Sequence, residues 1–139
     1  MATAARGRTT GQLFALVFGV VYIAVGVVGF AVTGFDDFFS TKFDEVLIIF
    51  PVNPAHNVVH ILIGALWLGG SRTAAAAKSV NALIGAAYLL VFVLGLVGLL
   101  EWLSIESGFN ADQVLHLLSG AISLYFGTAG ATAGRPATA

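Results

Sequence analysis

The chain contains no cysteine in 139 residues, so it has no disulfide framework, no thiolate metal site and no cysteine nucleophile. Charge is scarce as well. Asp, Glu, Lys and Arg together make up 9% of the residues, against roughly a quarter in a soluble domain. That is too little to coat a globule in water. The net charge is −1, which offers no basic face to a nucleic acid. No nucleophile-elbow G-x-S-x-G, P-loop or dinucleotide fingerprint occurs, so enzymatic activity is not expected. What is abundant is apolar: 58% of the residues. Disordered chains are polar, so disorder is excluded too. The class that survives is an all-α integral membrane protein.

A spanning helix needs about 20 mostly apolar residues. Two uncharged runs meet this, Gln12–Thr33 and Val80–Leu100. Two shorter runs, Ala55–Gly70 and Gln113–Gly130, follow histidine-bearing starts. Asn53-Pro54 is a start signal, with Asn as N-cap and Pro at the first helical position. The expected architecture is four transmembrane helices over residues 12–130, between a cytoplasmic tail (1–11) and a flexible cytoplasmic tail (131–139). The apolar part of the first run, about 20 residues, exceeds the 7–15 of a signal peptide, so a retained anchor is expected.

Charge placement sets the orientation. Arg6, Arg8, Arg72, Lys78 and Arg135 fall on one side of the expected spans. All the acids fall on the other, in Asp36, Asp37, Asp44, Glu45, Glu101, Glu106 and Asp112, with Lys42 the one base among them. By the positive-inside rule both termini are cytoplasmic. In the first outer connection, Phe35, Phe38, Phe39 and Phe43 are spaced as one face of a short interfacial helix. Val46–Phe50 beyond it either dips into the bilayer edge or packs on the bundle, and Trp102 fits an aromatic belt.

The chain also reads as a tandem two-helix repeat, about 12–70 and 80–130. At an offset of 56, Pro54–Gly70 and Asn110–Phe126 share seven identities in 17 positions, among them His60/His116 and Gly64/Gly120. At an offset of 66, Gly19, Tyr22 and Gly29 correspond to Gly85, Tyr88 and Gly95. Parallel repeats of this kind relate by an axis along the membrane normal. The glycines are expected where helices approach closely.

All three histidines lie in the repeat. His56 and His60 share a helix face, as do Asp112 and His116, and His56 aligns with Asp112. Asn53, Asn57, Ser119 and Ser123 add polar atoms nearby. Polar groups in a span face the bundle interior or water, and three readings are open. The first is structural, with the histidines hydrogen-bonding each other, Tyr22, Tyr88 or a carbonyl. The second is a metal or haem site, with His56, His60, Asp112 and His116 holding zinc, or the histidines ligating a haem for which Gly64 and Gly120 leave room. The third is proton or solute handling, since a histidine titrates at about pH 6.5.

Val52-Asn-Pro-Ala-His-Asn-Val-Val-His60-Ile-Leu-Ile-Gly64, with Asn110-Ala-Asp112-Gln-Val-Leu-His116-Leu-Leu-Ser-Gly120, resembles the bacterial membrane family named domain of unknown function 4383. The resemblance implies a four-helix bacterial membrane protein and no particular activity. The expected role is therefore that of an accessory or structural component of the cytoplasmic membrane. Its partners would be the bilayer and a second copy or another membrane protein, with no cofactor. A metal or haem carrier and a small transporter are the alternatives.

Overall fold

A computed structural model describes residues 7–130. The tail expected over 131–139 and the first six residues lie outside the described part. Four helices dominate: α1 (Thr10–Thr33), α2 (Pro54–Gly70), α3 (Ala74–Leu96) and α4 (Ala111–Gly127). A two-stranded antiparallel hairpin, β1 (Val46–Leu47) with β2 (Phe50–Pro51), precedes α2, and a 3-10 turn (Glu101–Leu103) precedes α4. Two helices, α1 and α3, are long and apolar enough to cross a membrane.

Each helix begins where a side chain can satisfy the first unpaired N–H groups. Thr9 and Gln12 form a reciprocal capping box on α1. The Asn53 side chain accepts from the His56 N–H, with Pro54 following it. Thr73 caps α3 by accepting from the Ala76 N–H, and Asn110 caps α4 by accepting from that of Gln113. The Thr73 cap starts α3 six residues before the expected Val80, so Lys78 lies within the helix and not in the connection. α3 also stops at Leu96, short of the expected Leu100. Gly98 there takes a φ of +77° and leads into the 3-10 turn.

The interfacial helix expected from Phe35, Phe38, Phe39 and Phe43 does not form. Residues 34–45 run as turns and bends, and positive φ at Asp37 (47°) and Phe43 (55°) breaks any helical path. Phe35 and Phe39 are nonetheless exposed. Ile48, at the hairpin tip, is 85% exposed with a φ of +64°, a strained conformation for a β-branched residue.

α1 packs chiefly on α2, and α3 on α4. Glycine allows both approaches. A Cβ on Gly64 would lie 2.7 Å from the Gly19 carbonyl oxygen and 2.8 Å from the Ile23 nitrogen. One on Gly120 would lie 2.9 Å from the Leu89 side chain, and Gly85 abuts the Leu124 backbone. Further along, Gly29 sits against the Asn57 amide and Gly95 against that of Gln113.

The pairs join through a core of Phe14, Tyr22, Trp67, Ile84 and Tyr88. At the end carrying the helix starts α1 and α3, Asn81 links all four helices. Its side chain accepts from Trp67 Nε1 (3.0 Å) and donates to the Gly11 carbonyl (3.0 Å), while its own carbonyl accepts from Ser123 Oγ (2.9 Å). Gln12 adds a bond to the Ser71 carbonyl at the same end. The outward faces are apolar on every helix, for example Val17, Leu66, Leu83 and Leu118. Polarity is turned inward.

Candidate functional site

The histidines gather at the opposite end, beneath the hairpin. α2 carries His56 and His60 one turn apart, with ring centroids 4.7 Å from each other. Within each helix pair, His60 packs on Tyr22 (5.1 Å) and His116 stacks on Tyr88 (5.6 Å), while the two tyrosines meet edge to face across the pairs at 6.0 Å. Thus His56, His60, His116, Tyr22 and Tyr88 form one interior cluster. The tyrosines meet the histidines by ring packing, and the Tyr22 hydroxyl donates to Ser119 Oγ instead, at 3.3 Å.

His56, Asp112 and His116 are nearly fully buried, at 5%, 3% and 3% exposure. Nδ1 of His56 and Nδ1 of His116 have no hydrogen-bond partner, and neither has the Gln113 amide. Such buried groups are exceptions that call for an explanation.

Two cavities flank the cluster. The larger, about 260 Å³, lies between α1 and α4 and reaches Asp112 as well as all three histidines. Leu47, Ile48 and Phe50 of the hairpin segment also line it. The smaller, about 50 Å³, lies between α2 and α3. Val21, Tyr22 and Val25 of α1 with Leu115, His116 and Ser119 of α4 line the first. The second is lined by Ala87, Tyr88 and Val91 of α3 with Val59, His60 and Ile63 of α2. These are the same positions at the offsets of 66 and 56.

Three expectations need correction. Among the described residues, no group of three or more His, Cys, Asp or Glu side chains is arranged to hold a metal ion. The tetrahedral set of His56, His60, Asp112 and His116 therefore does not form. Gly64 and Gly120 leave no room for a haem, because the neighbouring helix already fills the space beside them. Ser123 lies a further turn along α4 and serves Asn81, away from the histidines. The sequence reading passed over Asn81, Gln12, Trp67 and Gln113. The available signal was their polarity inside apolar helices, where such groups turn toward the bundle interior.

Residues 12–129 match the family model described as Domain of unknown function (DUF4383), and the chain belongs to that family. No curated protein and no solved structure matches the chain.

Proposed function

We propose that this DUF4383 chain is a small four-span protein of a bacterial cytoplasmic membrane, acting as an accessory or structural component. The observation that carries this reading is the inverted distribution of polarity. Asn53, Asn57, Asn81 and Gln113 are fully buried, while valines and leucines on all four helices face outward. Water would penalise that arrangement and lipid favours it. The 17 residues of α2 and of α4 rise roughly 25 Å, short of a hydrocarbon core of about 30 Å. Local thinning of the bilayer accommodates such a mismatch.

Both termini are cytoplasmic in this reading, since Arg8, Arg72 and Lys78 lie toward the end that the acidic connections avoid. The chain is a tandem duplication of one helical hairpin. Support comes from the paired contacts: Gly19 against Leu68 and Gly85 against Leu124, then Ile23 beside Gly64 and Leu89 beside Gly120. Its outward apolar faces would associate with a second copy or with another membrane protein.

The absence of cysteine makes the topology test clean. Thr41→Cys should react with an impermeant maleimide from outside intact cells, and Ala75→Cys only after lysis. The reverse pattern overturns the orientation, and labelling of both from outside overturns the span count. For the accessory role, purification in mild detergent should yield a defined oligomer or a stoichiometric partner. A lone monomer would sink it.

A further inference from the structure

The two cavities occupy equivalent places and have diverged. Where the larger has Ser119, the smaller has Ile63, two side-chain heavy atoms bigger. Where Asp112 reaches the larger, its aligned partner His56 sits between both. One chamber is narrowed by a methyl-rich side chain, and the other is open, with Ser119 and Asp112 in a largely apolar lining. Unfilled interior space destabilises a protein, so a chamber kept open beside a filled twin points to an occupant.

The lining restricts what that occupant is. Phe18, Val25, Phe50, Val52 and Leu115 give it apolar walls. The polar residues in its lining are hydrogen-bonding ones: His56 and His116, each with a buried Nδ1 that has no partner, and the Tyr22–Ser119 hydroxyl pair. An imidazole nitrogen donates or accepts according to its tautomer, so the set suits both carbonyl and hydroxyl oxygens. Among the described residues, no Lys or Arg lines the chamber, and Asp112 does. A phosphate or fatty carboxylate would meet that acid with no cation to offset it. A cavity of about 150 Å³ admits benzene, and about 260 Å³ admits a ring with several substituents. Val21 and Leu115 line the chamber and are also 46% and 36% exposed, which gives a sideways mouth through which a tail can leave.

We infer that the larger chamber binds a neutral, lipid-soluble ring molecule bearing carbonyl or hydroxyl oxygens, of the quinone and quinol class. The lipid-facing mouth rests on the membrane reading above, which the cysteine labelling tests separately. Binding is measured on full-length protein in lipid nanodiscs, in a Trp102→Phe background. Trp67, whose ring lies 4.9 Å from that of Tyr22, then reports occupancy by fluorescence quenching. Titration with ubiquinone-1, and separately with its quinol, should give saturable quenching by at least one of them.

Ser119→Ile installs the residue that the twin position already accommodates, and it should raise Kd at least tenfold. His116→Phe should do the same, while Leu83→Phe on the outer face of α3 should leave Kd unchanged. If Ser119→Ile does not assemble, Leu115→Trp plugs the mouth from outside and should have the same effect. Quenching that rises linearly without saturating, as for a tryptophan ester dissolved in protein-free nanodiscs, overturns the inference. So does an unchanged Kd when the chamber is filled. Displacement of bound quinone by equimolar oleate or tetraphenylphosphonium overturns the ligand class in favour of an anion or a cation.

Discussion

Asn81→Leu tests whether one amide holds the four helices together. The substitution keeps the number and branching of side-chain heavy atoms and removes both side-chain bonds, the one from Trp67 Nε1 and the one to the Gly11 carbonyl. Ser123 bonds to the backbone carbonyl of residue 81, so that link persists. Interhelical hydrogen bonds in membrane proteins average about 0.6 kcal/mol, with a maximum of about 1.7. The indole is different, because Trp67 is fully buried and its N–H would be left without a partner. An orphaned buried donor costs about 1–3 kcal/mol. The expected loss is therefore about 2–3 kcal/mol, most of it from the indole.

The assay is reversible unfolding in mixed micelles with increasing dodecyl sulfate, followed by helical circular dichroism. A double-mutant cycle isolates the bond. Trp67→Phe removes the donor, so it should cost much less in the Asn81→Leu background than alone, with a coupling of about 1 kcal/mol or more. Trp67→Phe also loses ring packing against Phe14 and Tyr22, a loss common to both backgrounds that cancels. Additive costs, or an Asn81→Leu loss below about 0.5 kcal/mol, would falsify the hub.

Other substitutions separate close packing from spare space. Gly64→Val and Gly120→Val should abolish assembly on size exclusion, because their new side chains meet the facing helix. Gly69 has nothing within 4 Å of its Cβ position, so Gly69→Ala should stabilise by up to about 1 kcal/mol through helix propensity. Ile48→Gly should raise the unfolding free energy by about 1 kcal/mol, by relieving left-handed strain at the exposed hairpin tip. The exposed Lys42–Asp37 pair, 2.9 Å apart, should contribute nothing measurable, so Lys42→Ala should unfold with the parent at neutral pH. The Asp37 carboxylate raises the Lys42 pKa above its ordinary 10.5. Any contribution would thus be present below pH 10.5 and vanish as pH rises past the raised value.

The helices were legible because two physical signals coincide at each start: a side chain that can accept from the first turn, and the apolar run after it. Where either signal stands alone, the boundary is ambiguous. Thr73 is as good a cap as Asn53, but counting from the first long apolar run placed the start of α3 at Val80. Phe35, Phe38, Phe39 and Phe43 have helical spacing and no cap. Positive φ at Asp37 and Phe43 decided the path instead, and neither residue type announces it. The histidine cluster was legible as a cluster, because three histidines in an apolar chain must face inward. Its bonding was not, since whether Tyr22 donates to His60 or to Ser119 depends on helix rotation by a fraction of a turn.

The identities of the repeat attract attention first, and in space many of them do similar work twice: Gly64 and Gly120 seat facing helices, and His60 and His116 pack on matching tyrosines. A duplicated hairpin with only identities would have two equal chambers and no reason to keep either. The difference in volume between about 260 Å³ and about 50 Å³ accompanies unmatched positions in the two linings. Ile63 stands against Ser119 and His56 against Asp112, with a hairpin over one chamber and Leu103 and Ile105 beside the other. Where the two halves match, similar contacts recur, as at Gly64 and Gly120 against their facing helices. Ile63 against Ser119 and His56 against Asp112 are mismatches that reach the chambers, and there the two halves can differ in what they hold.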